Sequence, residues 1–134
     1  MPAQHYIDNS MKLITTTWIG RATDSELIDA LAKYQRDIRS RPEYYSYDEI
    51  LDFSTASSLE LSHEGIRTLA HMAVTTDVQE VRTRLAIIVN SPLAFGLGRM
   101  YEAYRDLVPG GVKKVRVFRN NDDALQWITG TADP

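Results

Sequence analysis

Residues Arg84-Leu-Ala-Ile-Ile-Val-Asn90 form an uninterrupted apolar run between polar ends, and Ser91-Pro92 follows at once. A strand that is apolar at every position has no face to offer water, so it belongs in a sheet covered on both sides, as parallel strands are. Beyond it, Leu93, Leu97, Met100, Tyr101, Tyr104, Leu107 and Val108 recur at a helical period. Ser91 suits the N-cap of that helix and Pro92 its first position, where a fixed φ helps and the missing N–H would have no partner. The segment therefore reads as a βα unit. In open α/β sheets ligands and partners meet the chain beyond the carboxyl ends of the strands, which puts Asn90, Ser91 and Phe95-Gly-Leu-Gly98 near the expected working edge.

The rest of the chain extends this pattern. Tyr6-Ile7 and Met11 to Ile19 read as extended segments around the turn formers Asp8-Asn9-Ser10, an antiparallel hairpin. Gly20 to Ala22 reads as a link to Thr23-Asp-Ser-Glu26, a capping-box pattern. The helix it opens carries Leu27, Ile28, Leu31, Tyr34 and Ile38 on one stripe and is stopped by Pro42. Tyr47 to Phe53 reads as a strand, Ser54 to Ser58 as a polar connector, and Ser62 as the cap of a helix with Ile66, Leu69, Ala70 and Ala73 on one face. The segment from Val74 to Thr83 leads into the apolar strand. After the third helix, Pro109-Gly-Gly111 is a stop and Val112 to Phe118 alternates as a strand. Asn121 is expected to cap a last helix with Ala124, Leu125 and Ile128, and the tail from 129 to 134 to fray. The order ββαβαβαβα predicts a mixed, mainly parallel sheet of about five strands with helices on both faces. One domain is expected over 1–134.

Composition narrows the function. A chain of 134 residues buries about two thirds of its unfolded surface, enough for an ordinary core. With no cysteine, disulfides, thiolate nucleophiles and sulfur metal sites are excluded. The first residues lack a basic segment followed by an apolar one, and no apolar run approaches the roughly 18 residues of a membrane span, so a cytoplasmic location is expected. Fifteen Lys and Arg against 18 Asp and Glu give a net charge of −3, no field for a polyanion, and nucleic acid is not an expected partner.

No motif names a reaction. Gly96-Leu-Gly98 invites a phosphate-loop reading, but the third glycine of the dinucleotide fingerprint falls at Tyr101, and the glycines lie inside the helix. Glycine inside a helix costs about 1 kcal/mol against Ala, so close packing on a neighbour or a bound partner is expected to offset it. His63 and His71 are not spaced to share a metal, and His5 stands alone. None of Ser54, Ser57, Ser58, Ser62 and Ser91 stands in a Gly-x-Ser-x-Gly elbow, so turn and cap roles account for them. Arg39, Arg41, Tyr44, Tyr45 and Tyr47 are interleaved with Glu43, Asp48 and Glu49, which favours a loop packed on the domain edge or a protein interface. No catalytic residue, metal site or cofactor is expected.

The strand Glu49-Ile-Leu-Asp-Phe53, the serine-rich connector, the helix start at Ser62 and the strand Leu85-Ala-Ile-Ile-Val89 resemble the STAS domain, the fold of bacterial anti-sigma-factor antagonists. The closing half, Ala94 to Tyr104 with Val115 to Arg119 and Asp123 to Trp127, is similar to the SpoIIAA-like branch, which shares features with CRAL-TRIO lipid-binding domains. In that family an Asp-Ser-Ser-Gly-like turn opens the helix after the second core strand, and a serine there is phosphorylated to break a partner complex. On the most direct alignment Glu60 matches the acidic residue, Leu61 stands where the phosphorylated serine would be, and Ser62 matches the serine after it. The resemblance thus implies a degenerate phosphoswitch turn with Ser62 as its candidate modification site.

The leading expectation is a non-enzymatic STAS-like module that binds a protein partner or itself. The strand-end edge of Ser54, Ser57, Ser58, Ser62, Asn90 and Ser91 is its candidate surface, with the helix bearing Phe95, Leu97, Met100, Tyr101 and Tyr104. The alternative, implied by the same resemblance, is a carrier of a small apolar or lipid-like ligand with its pocket under that helix. An enzyme of unknown reaction comes third.

Overall fold

The computed structural model describes residues 2–77 and 81–130. In chain order they form β1 (Ala3–Asp8), β2 (Leu13–Trp18), β3 (Gly20–Thr23), α1 (Asp24–Arg39), β4 (Asp48–Asp52), β5 (Ala56–Glu60), α2 (His63–Val74), β6 (Arg84–Ile88), α3 (Pro92–Leu107), β7 (Lys114–Phe118) and α4 (Asn121–Ile128), with a 3-10 turn at Pro42–Ser46. Five strands make one sheet in the order β1-β2-β4-β6-β7, in which β1 is antiparallel to β2 and the other pairs are parallel. The expected mixed, mainly parallel α/β fold is the one observed.

The apolar run of β6 lies next to the sheet centre, and Leu85, Ala86, Ile87 and Ile88 are all buried. Alternation sorts their side chains between two cores. Leu85 and Ile87 join Trp18, Phe53, Val115 and Val117 on the face covered by α1, α2 and α3. Ala86 and Ile88 join Leu13 and Ile50 against Ala124, Trp127 and Ile128 of α4 on the other. The helices start as their caps dictate: Thr23, Ser62 and Ser91 each accept a hydrogen bond from the backbone N–H three residues on. Cap and Pro92 together make the β6–α3 junction abrupt.

Several local expectations are corrected. The serine-rich connector is half strand: Ala56–Glu60 pairs in parallel with Gly20–Thr23, which had been expected to be a link, to make a separate two-stranded sheet. Gly20 permits this with a φ of +90°, a turn that lets the chain leave β2 and run on beside the continuation of β4. Since the pairing is with a distant segment, no local pattern of Ser54 to Ser58 announces it. The cap of α4 is Asn120, which accepts from Asp123 N at 2.8 Å, not Asn121. In the first capping box, Thr23 Oγ1 donates to the Glu26 carboxylate at 3.0 Å in addition to accepting from Glu26 N. Of the tail, residues 131–134 lie outside the described residues, as do 78–80 of the segment between α2 and β6. The Arg-Tyr cluster is an edge loop: Tyr44 and Tyr47 meet ring edge to ring at 5.1 Å, and Arg41 lies over Tyr44.

The two helical glycines differ. A Cβ on Gly98 would stand 3.0 Å from both γ-methyls of Val117, so α3 approaches β7 as closely as it does because position 98 has no side chain. A Cβ on Gly96 would meet nothing within 4 Å. Gly98→Ala is expected to destabilise the fold by about 1–3 kcal/mol through overpacking, despite the better helix propensity of Ala. The midpoint of urea unfolding measures it.

Candidate functional site

The six residues expected to share one strand-end edge are divided in their contacts. Asn90 Nδ2 donates to Ser54 O at 2.8 Å, which ties the end of β6 to the end of β4, and beside it Ser91 caps α3. Ser57 is exposed on β5, and Ser58 Oγ donates to Glu60, whose carboxylate also takes both nitrogens of an exposed Arg21 fork. Ser62 is engaged elsewhere. Its backbone N–H and hydroxyl both donate to Asp24, at 3.0 and 2.6 Å, while its Oγ accepts from Gly65 N. Asp24 lies so close over Gly65 that a Cβ there would clash with its carboxylate. The anion position at the start of α2 is thus filled from within the chain by the first residue of α1, where charge and dipole favour it.

A different site lies between the sheet and the layer of α1, α2 and α3. The first two of these helices lean on each other, and α2 on α3, while α3 rests on β7 and α4 on β6 and β7. Under the α1–α3 layer is a cavity of about 170 Å³. Near the carboxyl ends of the strands its wall is apolar, with Trp18, Leu27, Phe53, Leu59 and Val89. Near their amino ends it is polar, with Tyr34, Glu49, Asp77, Arg105 and Lys113.

These polar groups are bound to one another. Arg105 and Asp77 form an ion pair with side chains 3% and 1% exposed, at 2.9 and 2.8 Å to the two carboxylate oxygens. Asp77 also accepts from the backbone N–H of Val112 and Lys113, and Arg105 Nη1 donates to Tyr101 Oη at 3.0 Å. One carboxylate thus gathers the exit of α2, the last turn of α3 and the entry to β7. Lys113 Nζ reaches Glu49 at 3.2 Å and donates to Thr83 Oγ1 at 2.6 Å, and Tyr34 Oη donates to Glu49. Burial beside the Glu49 charge pushes the Tyr34 phenol far above its ordinary range, so it stays a donor. Burial likewise raises the Tyr101 phenol. Desolvation works against the Arg105 charge, but Tyr101 and Asp77 outweigh it and hold the pKa above the usual arginine value.

Of the helix residues expected to face a pocket or partner, Leu97 and Tyr101 line the cavity. Phe95 packs against the same core with the Arg119 guanidinium 4.2 Å from its ring centroid, and Met100 and Tyr104 are half-buried away from the cavity wall. Sequence reasoning missed Tyr34, Glu49, Asp77, Arg105 and Lys113 as a group. Two signals were there to read: Glu49 stands in alternation with Leu51 and Phe53, an acid at an inward strand position, and Arg105 lies four residues after Tyr101 on the buried side of α3. No group of His, Cys, Asp and Glu suited to a metal ion occurs among the described residues, and no described helix is long and apolar enough to cross a membrane.

The fold is that of the SpoIIAA-like proteins. A crystal structure of an uncharacterized protein of the DUF3478 family with a SpoIIAA-like fold, from Shewanella loihica PV-4, superposes with a TM-score of 0.54 over 94% of this chain and 91% of that one, at 16% identity. Identity at this level shows the common fold alone. No protein-family model matches the sequence, and no curated protein does.

The Asp24 contact changes what a substitution at Ser62 does. Asp caps a helix about as well as Ser, but Ser62→Asp sets a second carboxylate against Asp24. The variant is expected to lose about 1 kcal/mol at neutral pH beyond any change in capping, from two unit charges about 4 Å apart near water. Adding Asp24→Asn should return most of that loss, as read from denaturant midpoints of the single and double variants.

Proposed function

We propose that this chain is a non-enzymatic binding module whose cavity between the sheet and α1–α3 holds a small, mostly apolar ligand. One observation carries the reading: a partly open cavity of about 170 Å³, walled by side chains of the main core and lined at one end by hydrogen-bonded polar groups. Protein interiors are close-packed, and voids much larger than a water molecule are few. A cavity of about 150 Å³ lined by apolar residues is known to stay dry and to take up benzene, so this space suits a ligand of single-ring size. The network of Arg105, Asp77, Lys113 and Glu49 supports a binding role over catalysis, because each charge is already paired. The sequence resemblance to the SpoIIAA-like branch, which shares features with CRAL-TRIO domains, implies a ligand of this kind. Ser62 has no part in this reading, since its hydroxyl is given to Asp24.

A second reading, association with a protein partner or a second copy, draws on α3. Leu93 and Leu107, at its two ends, are 71% and 76% exposed, and Gly96, an exposed glycine with open space over it, lies on the stripe that joins them through Met100. A close-packed partner would offset the cost of that glycine.

Two measurements separate the readings. Ethylbenzene in excess is expected to raise the melting temperature of the protein by several degrees, through preferential binding to the folded state, and Ala73→Leu, which fills the cavity from α2, should abolish the rise. No rise with ethylbenzene or comparable ring compounds would end the cavity reading. On the second reading Gly96→Ala weakens self-association in sedimentation; if nothing packs on α3 it only stabilises the chain, by up to about 1 kcal/mol.

A further inference from the structure

The polar end of the cavity carries one group whose hydrogen bonding is incomplete. Arg105 is 4% exposed and lines the cavity, and its Nε has no hydrogen-bond partner among the described residues. Its Nη1 and Nη2 are spent on Tyr101 and Asp77. A buried N–H without an acceptor costs about 1–3 kcal/mol; the Nε has almost no accessible surface of its own, so a ligand acceptor meets it as the guanidinium turns toward the cavity that Arg105 lines.

The charges set the second requirement. Arg105 is neutralised by Asp77 and Lys113 by Glu49, so the four charged side chains at this end sum to zero. His5, at the cavity edge with Nδ1 on Thr16 Oγ1, adds none at neutral pH, because partial burial of the ring lowers its pKa. An anionic ligand would bring in a buried negative charge with no free cation among the described lining residues to meet it, and an uncompensated buried charge is far more costly than a neutral acceptor. Resting on the cavity reading above, we infer that the ligand is a neutral apolar molecule of single-ring scale with one hydrogen-bond acceptor, such as a ketone, aldehyde or ether oxygen, which accepts a hydrogen bond from the Arg105 Nε–H. A carboxylate such as a fatty acid is excluded by the same balance.

Three probes of similar shape test this on the whole protein: acetophenone, with a neutral carbonyl; ethylbenzene, with no acceptor; and benzoate, an anion. Affinities come from calorimetry or ligand-detected NMR at pH 7. Acetophenone is expected to bind about tenfold or more tighter than ethylbenzene, the gain of a hydrogen bond to a charged donor, and benzoate more weakly than either. The charge-balanced pair Arg105→Met with Asp77→Asn should erase the preference for acetophenone while keeping ethylbenzene binding. If that variant does not fold, the order of the three probes on the native protein decides alone. Equal affinity for acetophenone and ethylbenzene, as when a resident water serves Nε, would overturn the inference and leave the cavity reading standing. Tightest binding of benzoate would overturn it as well, and no binding of any probe would remove the cavity reading itself.

Discussion

The contact on which the rest of this structure depends is the ion pair of Asp77 and Arg105. It is fully buried, so its attraction is set against a large desolvation cost, and such a pair is worth little relative to apolar packing of the same volume. Its value here is positional. Asp77 takes four hydrogen bonds, two from Arg105 of α3 and two from the backbone N–H groups before β7, and so fixes where α3 ends and β7 begins. Arg105 in turn holds the Tyr101 hydroxyl. At the amino ends of the strands this fixture anchors α3, as Tyr34 on Glu49 anchors α1.

That placement explains the character of the cavity. Helices α1 and α2 are secured chiefly at their ends: Thr23 and Ser62 cap their starts, Asp24 joins the two starts, and Gln35 of α1 binds Met72 O, Thr75 and Thr76 at the end of α2. Ties at both ends hold the pair together over the cavity. The space beneath is apolar where Trp18 and Phe53 face it and polar where Glu49 does.

Most of the fold was legible in the chain because its signals are local. The run Leu85 to Val89, the serine caps and the helical stripes each sit within one element, and their periods reveal class and order. What escaped depends on partners far apart in sequence. Ser54 to Ser58 reads as a connector because its strand character comes from pairing with Gly20–Thr23. Ser62 reads as an accessible hydroxyl because Asp24 reaches it from another helix. The polar group under the helices is drawn from five separate elements and loops, and Glu49, Asp77, Arg105 and Lys113 carry no common spacing that could announce it. Of Phe95, Leu97, Met100, Tyr101 and Tyr104, expected to face a partner or a pocket, Leu97 and Tyr101 line the cavity; the helical period shows that the set is apolar, and the pocket itself was implied only by the family resemblance.

The sheet order has a consequence for how the chain reaches this state. In the five-stranded sheet only β1 and β2 are joined by a tight turn, stabilised by Asp8 accepting from the N–H groups of Ser10 and Met11. Each remaining pairing, β2 with β4, β4 with β6 and β6 with β7, is parallel and closes a loop that contains a helix. Loop closure must precede the contacts that reward it, so topologies rich in such pairings fold slowly for their size. The hairpin is the one piece of sheet the chain can assemble from neighbouring residues. Since β1 is also an edge strand, the element easiest to form early closes one flank of β2 for good and leaves the other as the template on which β4 pairs.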